Sequence, residues 1–241
     1  MLKENVIIIT GASKGIGRVM AESYSKKGAK VVLAARSYDL MMSFSDQLKS
    51  EHLIVKTDVR DQLSVRHMIK KTIEKFGRID VIINNAGIIE PCDIENTQLN
   101  DWQNIMATNL TGPFMVTQEA IRYMKQTGGK IIYIASTAGM GPRPGRCAYS
   151  ASKAGLINFA MSMAKSLHQF NIKVYNICPS GTATDLRDKL ALTEDPASLM
   201  HPRDVAGIVE YCLTEQADVI DAQPIIVRPR EDKFIRVNDE E

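Results

Sequence analysis

Tyr149 and Lys153 are the two residues whose types and spacing point most directly to chemistry. They stand four apart in the segment AYSASK at 148–153, and positions i and i+4 of a helix share one face. A free phenol has a pKa of roughly 10, so it is a poor acid–base group at neutral pH, whereas a neighbouring ammonium favours the phenolate and lowers that pKa. Taken alone, the pair also fits a Tyr and a Lys on any helix surface.

A glycine-rich turn follows the first apolar run of the chain, Val6–Ile9. The segment TGASKGIG at 10–17 and the helical pattern after it are typical of a strand, a tight loop and a helix. In such a loop Gly11 makes the turn, Gly15 lets the backbone approach a pyrophosphate, and Gly17 lets the helix pack closely. The start of the helix then offers N–H groups to phosphate. A lone glycine turn is weak support, but its place at the start of an alternating pattern favours nucleotide binding.

Strand and helix patterns alternate along the chain. We predict strands at 5–10, 30–35, 52–57, 79–84, 129–135, 172–178 and 224–228. We predict helices at 15–27, 38–49, 61–76, 98–125, 149–169 and 203–213, with a short one near 184–192. Continuous apolar strands suit a parallel sheet covered on both faces, and right-handed crossovers make it doubly wound. The pattern predicts a single α/β domain over 1–241, in which 230–241 form a charged tail.

The composition bounds the class of function. The 241 residues are 44% hydrophobic and 24% charged, which is typical of a soluble globular protein. A net charge of +2 without a dense basic block argues against nucleic-acid binding. We expect no membrane span, because no apolar run approaches about 18 residues, and no signal peptide. Four Cys and four His without ligand spacing indicate reduced thiols, no metal site and a cytoplasmic protein.

Several motif residues follow predicted strands, where a doubly wound sheet binds its ligands. These residues are Asp58 with Val59, the segment NNAG at 84–87, Ser136 and Pro179. Tyr149 and Lys153 open the next long predicted helix after Ser136. Each alone fits a loop residue or a helix cap, but their joint order makes coincidence a poor explanation.

These motifs together resemble the short-chain dehydrogenase/reductase family, from Thr10 to about Ala206, and most closely its 3-oxoacyl-carrier-protein reductase branch. The matching motifs are TGxxxGxG at 10–17, NNAG at 84–87, Asn109, Ser136 and the YxxxK of 149–153. The resemblance implies a seven-stranded Rossmann sheet in the order 3-2-1-4-5-6-7. It also implies hydride transfer between a nicotinamide cofactor and a carbonyl or an alcohol.

The resemblance further implies a role for each matching residue. Tyr149 would protonate the carbonyl oxygen, and Ser136 would hydrogen-bond the same oxygen. Lys153 would bind the nicotinamide ribose and lower the pKa of Tyr149, while Asn109 would hold a water and Lys153 in a proton relay. Asp58 would accept from the adenine amine. The implied cofactor-binding residues are Gly11, Ser13, Lys14, Gly15, Ile16, Gly17, Arg36, Ser37, Asp58, Val59, Asn85, Ala86, Gly87, Tyr149, Lys153, Pro179, Thr182 and Thr184.

The end of the second predicted strand bears on the choice of cofactor. NAD-binding folds place an acid there to hold the ribose 2′-OH, whereas this chain has Ala35 followed by Arg36 and Ser37. An arginine pairs with a 2′-phosphate in a bidentate fork, and Lys14 adds a positive charge nearby. The pattern predicts NADP(H); the alternative is that Arg36 and Lys14 are merely solvated.

Three segments depart from the family pattern. Pro-Ser-Gly at 179–181 replaces Pro-Gly. The segment that follows, up to His201, is short for a substrate lid, which suggests an open site and a large or carrier-bound carbonyl substrate. The segment 219–224 lacks the usual sequence of a region that forms subunit contacts. Arg143 and Arg146 border the expected substrate entrance and fit either an anionic substrate or a solvated loop.

The leading hypothesis is an NADPH-dependent carbonyl reductase that forms a homodimer or homotetramer through the helices at 98–125 and 149–169. Ala151, Ala154 and Gly155 would permit close packing there. A second hypothesis is a non-catalytic NADP-binding sensor on the same fold, and a third is a structural interaction protein. The intact set of four catalytic residues argues against both, because neither needs all four.

Overall fold

The computed structural model describes residues 2–91, 93–188, 199–220 and 222–229. The predicted charged tail at 230–241 lies outside the described residues. The predicted short helix near 184–192 is described only as far as 188.

The strands form one parallel sheet. They are β1 (Val6–Thr10), β2 (Lys30–Ala35), β3 (His52–Lys56), β4 (Val81–Asn84), β5 (Gly129–Ile134), β6 (Ile172–Pro179) and β7 (Pro224–Val227). Their order across the seven-stranded sheet is β3-β2-β1-β4-β5-β6-β7, and every neighbouring pair is parallel. The predicted doubly wound Rossmann fold and its strand order are confirmed.

Helices cover both faces of the sheet. They are α1 (Gly15–Lys26), α2 (Tyr38–Ser45), α3 (Gln62–Phe76), α4 (Leu99–Met106), α5 (Gly112–Met124), α6 (Cys147–Leu167), α7 (Asp185–Asp188) and α8 (Pro202–Cys212). Ile7 and Ile9 pack in one buried cluster with residues of α1, α2 and α8, whereas Val6 and Ile8 pack in a second with α3, α5 and α6. Since successive strand residues face opposite sides, the unbroken apolar run of β1 serves both clusters.

Helix α3 shows how local sequence sets the boundaries of an element. Asp61 accepts hydrogen bonds from the backbone N–H groups of Leu63 at 3.0 Å and Ser64 at 3.3 Å, which lack partners inside the helix. Gly77 ends the helix with a φ of 73°, a left-handed conformation that glycine adopts without steric cost. Both ends agree with the helix predicted over 61–76.

The helix predicted over 98–125 is not regular throughout. Between α4 and α5, residues Ala107–Thr111 form a π-helical turn that carries the fully buried Asn109. Such a turn inserts an extra residue and changes which side chains face inward. Helix α6 also begins earlier than predicted, at Cys147, so Tyr149 lies in its first turn.

Lys130, near the start of β5, ties together the edge of the sheet where the strands begin. Its ammonium donates to the carbonyl oxygens of Cys212 at 3.2 Å and Thr214 at 2.6 Å, and to the carboxylate of Asp218 at 2.7 Å. The carbonyls at the end of a helix have no helical partner. The ammonium therefore supplies donors to the end of α8 and holds that end against the sheet.

Candidate functional site

A large cleft opens at the edge of the sheet where the strands end. Its volume is about 1270 Å³. All but two of the predicted site residues line it: Gly11, Ser13, Lys14, Gly15, Ile16, Arg36, Ser37, Asp58, Val59, Asn85, Ala86, Gly87, Ser136, Tyr149, Lys153, Pro179, Thr182 and Thr184. The two others, Gly17 and Asn109, lie behind the wall of the cleft and act on its shape.

The glycine-rich loop is held in place by the loop that follows β4. Gly11 and Gly15 have positive φ angles of 66° and 56°. A Cβ on Gly17 would lie 2.3 Å from the carbonyl oxygen of Gly11, so no larger residue fits between helix and loop. The Thr10 hydroxyl accepts from the backbone N–H of Asn85 at 3.0 Å, and the Asn85 side chain donates to the Thr10 carbonyl at 2.8 Å. The side chain of Asn85 thus braces the glycine-rich loop.

Lys153 is buried beside Tyr149. Its ammonium lies 5.7 Å from the centre of the Tyr149 ring and donates to the Ile134 carbonyl at 2.8 Å. Burial lowers the pKa of Lys153 to about 8, because the charged form has lost most of its hydration. A Cβ on Gly87 would stand 3.5 Å from the same nitrogen, so glycine at 87 keeps side-chain atoms out of this approach.

Ser136 lies directly after β5 and starts a short turn over Thr137–Gly139. Its hydroxyl accepts from the backbone N–H of Ala138 at 3.1 Å and makes only a long, 3.5 Å contact with the Pro179 carbonyl. A Cβ on Gly139 would lie 2.6 Å from the backbone of Lys153, so this turn packs tightly on α6. The cleft wall therefore carries Ser136 on one element and Tyr149 on another that rests against it.

Asn109 belongs to a buried hydrogen-bond network that the sequence did not reveal. Its carbonyl oxygen accepts from the Ile88 N–H at 2.8 Å, and its amide donates to the Ile88 carbonyl at 2.9 Å and to the Ser152 hydroxyl at 3.0 Å. The Ser152 hydroxyl donates in turn to the Tyr149 carbonyl at 2.7 Å. The predicted relay role for Asn109 stays a prediction, and its side chain is engaged with Ile88 and Ser152.

Asp58 meets an arginine that sequence reasoning missed. Arg60 donates to both carboxylate oxygens of Asp58, at 3.1 Å from Nε to Oδ1 and 2.7 Å from Nη2 to Oδ2, and also to Asn104 at 3.0 Å. These hydrogen bonds lower the pKa of the Asp58 carboxyl. Arg60 lines the cleft as well, and the only signal for it in the sequence was its place two residues after Asp58.

The two basic residues predicted to select the cofactor, Lys14 and Arg36, both line the cleft. They differ in their surroundings. Arg36 is exposed just beyond the end of β2. The Lys14 ammonium instead forms a 2.7 Å ion pair with the carboxylate of Asp185, the first residue of α7. Sequence reasoning missed Asp185, because nothing in the spacing of the two residues indicates that they meet.

The segment after β6 keeps the predicted residues in the cleft wall. The backbone N–H of Ser180 donates to the Val227 carbonyl at 2.9 Å, which joins this segment to the end of β7. The Ser180 hydroxyl is buried and has no partner among the described residues. Thr182 donates back to the Ser180 carbonyl at 3.2 Å, and Thr184 to the Thr182 carbonyl at 3.4 Å.

Three further arginines line the same cleft, in addition to Arg36 and Arg60. They are Arg143 and Arg146, which precede α6, and Arg228, which follows β7. Sequence reasoning noted the first two and missed Arg228, since the segment around it departs from the family pattern. Among the described lining residues, the only carboxylates are Asp58 and Asp185, and each is paired with a cation.

Comparisons with known proteins agree with this geometry. Residues 5–195 match the family described as short chain dehydrogenase. The chain is 36% identical over 228 residues to a 3-oxoacyl-[acyl-carrier-protein] reductase of Synechocystis, with 90% of this chain and 92% of that protein covered. It is 30% identical over 236 residues to a 3-oxoacyl-[acyl-carrier-protein] reductase of Thermotoga maritima, with coverage of 93% and 96%.

Solved structures show the same likeness. A 3-ketoacyl-(acyl-carrier-protein) reductase from Brucella melitensis, complexed with NADH, superimposes with a TM-score of 0.88 at 27% identity and covers 94% of this chain and 98% of that one. A short-chain type dehydrogenase/reductase from Mycobacterium marinum gives 0.89 at 28% identity, with 95% of each chain covered. By its motifs, its strand order and these similarities, the chain belongs to the short-chain dehydrogenase family of oxidoreductases.

Proposed function

We propose that this protein is an NADPH-dependent carbonyl reductase that acts on a ketone of the 3-oxoacyl type. The observation that carries the proposal is the pairing of Lys153 with Tyr149. A buried ammonium lies 5.7 Å from the Tyr149 ring, on a helix that also packs against the turn bearing Ser136. This arrangement supports Tyr149 as a tunable acid and Ser136 as a second hydroxyl donor on one wall of the cleft.

The residues present fit an adenine dinucleotide that carries nicotinamide. Glycine at 15 and 17 leaves two positions at the start of α1 without a side chain, and glycine at 87 keeps the approach to Lys153 open. Asp58, Val59 and Arg60 would hold the adenine end, and Pro179, Thr182 and Thr184 would hold the nicotinamide end. The cofactor, when bound, supplies the hydride.

The chain's own residues would manage the charge and the proton at the substrate oxygen. Reduction of a carbonyl builds negative charge on oxygen, which a positioned donor stabilises. Ser136 can supply such a donor, because its present 3.5 Å contact with Pro179 is weak. The Tyr149 hydroxyl would give its proton to the same oxygen. The Lys153 ammonium then stabilises the phenolate that this transfer leaves on Tyr149.

The end of β2 supports NADP(H) as the cofactor. Ala35 occupies the position at which an acid would hold the 2′-OH of NAD, and the exposed Arg36 follows it at the rim of the cleft. A guanidinium matches the geometry of a phosphate, whereas a carboxylate would repel it. Lys14 adds a second cation on the same side of the cleft.

The relatives support the substrate class. Two of those compared above are named 3-oxoacyl-[acyl-carrier-protein] reductases. The arm that holds a carrier-bound thioester carries an anionic phosphate, and Arg143, Arg146 and Arg228 give the cleft wall a positive charge that would attract it.

We also propose that the protein assembles as a homodimer or homotetramer through the α4–α5 region and α6, and that it works in the cytoplasm. Ala151 and Ala154 are exposed on α6 and leave that face of the helix free of bulky side chains. The described cysteines Cys147, Cys178 and Cys212 are free thiols, as expected in a reducing compartment. The described part of the chain contains no helix long and apolar enough to cross a membrane.

Oxidation of NADPH and NADH with a panel of ketones, diketones and 3-oxoacyl thioesters tests the proposed reaction. We expect turnover with NADPH and a 3-oxoacyl thioester. Tyr149→Phe should lower kcat by about 10²-fold or more, because it removes the acid and keeps the ring. NADPH binding, followed by cofactor fluorescence, should stay within about twofold of wild type, since the ring's contacts are unchanged.

Tyr123→Phe is the matched control, because Tyr123 is an exposed tyrosine on α5 that does not line the cleft. It should keep wild-type activity. A wild-type protein that binds NADPH but reduces no compound in the panel would instead favour the non-catalytic sensor.

A further inference from the structure

The ion pair between Lys14 and Asp185 joins two elements across the cofactor side of the cleft. Lys14 precedes α1 in the glycine-rich loop, and Asp185 starts α7 after β6. Their charged atoms lie 2.7 Å apart, and both residues line the cleft. The backbone approaches here too, because a Cβ on Gly15 would lie 3.4 Å from the side chain of Thr184.

Lys14 and Arg36 stand at the ends of neighbouring strands. Thr10, the last residue of β1, pairs with Ala34 of β2, and the N–H of Ala12 donates to the Ala34 carbonyl at 3.3 Å. The loops that carry the two cations therefore leave the sheet side by side. We therefore expect Lys14 to attract an anion that Arg36 holds.

We infer that Asp185 weakens the preference of this protein for NADP over NAD by competing with the 2′-phosphate of NADP for the Lys14 ammonium. This inference rests on the proposed NADP(H)-dependent function. An ammonium paired with a carboxylate attracts a phosphate less than an unpaired one. Asp185 thus lowers the advantage that Lys14 gives to NADP over NAD.

The exposure of the pair makes such competition possible. The side chains of Lys14 and Asp185 are 61% and 62% exposed. An exposed ion pair contributes little to stability, so a bound phosphate can displace the carboxylate at small cost. Asp185 is ionised at neutral pH, because the hydrogen bond from Lys14 lowers the pKa of its carboxyl.

The dissociation constants of NADPH and NADH, measured by cofactor fluorescence for four proteins, test the inference. The proteins are wild type, Asp185→Asn, Lys14→Gln and the double variant. We expect Asp185→Asn to increase the preference for NADPH over NADH by about threefold, the size typical of an exposed ion pair. Lys14→Gln should reduce the preference, and adding Asp185→Asn to it should change nothing further. The ratio of the two constants cancels any general effect of charge on the pyrophosphate.

Glu74→Gln is the matched control, because Glu74 forms an exposed ion pair with Lys71 on α3 that does not line the cleft. It should leave the ratio at its wild-type value. An unchanged ratio in Asp185→Asn, or an equal change in the Lys14→Gln background, would overturn the inference. Tighter binding of NADH than of NADPH by wild type would instead overturn the proposed cofactor, which is a separate result.

Discussion

At the scale of single residues, burial of the Lys153 ammonium is unfavourable by itself and favours the chemistry proposed for the site. Its ammonium has a carbonyl partner, Ile134, and lies beside the Tyr149 ring. Burial holds its pKa at about 8, below the ordinary value near 10.4 of an exposed lysine. A cation that is poorly hydrated gains more from a nearby phenolate, so the burial and the proposed chemistry support each other.

The pKa of Lys153 predicts a pH dependence of stability. The unfolded chain keeps its lysine proton up to about pH 10.4, whereas the folded free protein loses it near pH 8. Below pH 8 the buried charge destabilises the fold, and this penalty disappears as the pH rises toward 10. Relative to Lys153→Met, wild type should therefore gain about 2 kcal/mol between pH 7 and pH 10. Urea unfolding of both proteins at the two pH values measures it; a constant difference would contradict the prediction.

Substitution of Ser152 should lower the activity without weakening cofactor binding. Ser152→Ala removes both the acceptor for Asn109 and the donor to the Tyr149 carbonyl. We expect kcat to fall by about tenfold and stability by about 1–3 kcal/mol, with NADPH binding nearly unchanged. Ser162→Ala is the control, because Ser162 makes a similar hydroxyl-to-carbonyl bond on the exposed side of the same helix. Steady-state kinetics at a temperature well below unfolding separate the two effects, and equal kcat values in both variants would rule out this positioning role.

At the scale of elements, the strands and most helices could be predicted because each has a local cause. Apolar runs define the strands, and Asp61 and Gly77 fix the ends of α3. The π-helical turn could not be predicted, since its extra residue is held by contacts distant in sequence, such as those of Asn109 with Ile88 and Ser152. The candidate site could also be predicted only in part. The motif residues line the cleft, whereas the contacts of Arg60 and Asp185 depend on the folded chain and have no signal in the sequence.

Gly112, the first residue of α5, should not tolerate a side chain. A Cβ on Gly112 would lie 2.9 Å from the side chain of Val59, which lines the cleft, and 3.1 Å from its carbonyl oxygen. Gly112→Ala should therefore cost about 1–3 kcal/mol and weaken NADPH binding through Val59. Gly207→Ala on α8 is the contrasting variant, because nothing lies near its Cβ position, and it should stabilise by about 0.5–1 kcal/mol. Thermal unfolding tests both, and a stable Gly112→Ala would contradict the predicted clash.

At the scale of the whole molecule, the faces of α5 and α6 leave a shallow groove. Leu110, Phe114, Gly155 and Phe159 line it, together with the polar residues Thr111, Asn158 and Ser162. Phe114 is exposed, in agreement with the proposed subunit contact. Gly155 also has a role within the chain, because a Cβ there would lie 3.0 Å from Leu110. Small residues on α6 therefore serve its packing on the π-helical segment as well as any approach of a second copy.

Light scattering tests the assembly. We expect a mass of two or four times 26.8 kDa. Phe114→Asp should shift the protein toward the single chain, because it places a charge in an apolar contact. Gln47→Asp adds a charge outside that groove and is the control. A wild-type protein that shows only 26.8 kDa at micromolar concentration would remove the proposed assembly.

The ammonium of Lys130 and the cleft stand at opposite rims of the same strands. Lys130 and Ser136 are separated by the length of β5, roughly 20 Å at about 3.3 Å per residue. Substitutions that far apart generally combine additively. Substitutions around Lys130 can therefore raise the stability of the protein, and substitutions in the cleft can change its substrate selectivity. We expect the effects of the two sets to add.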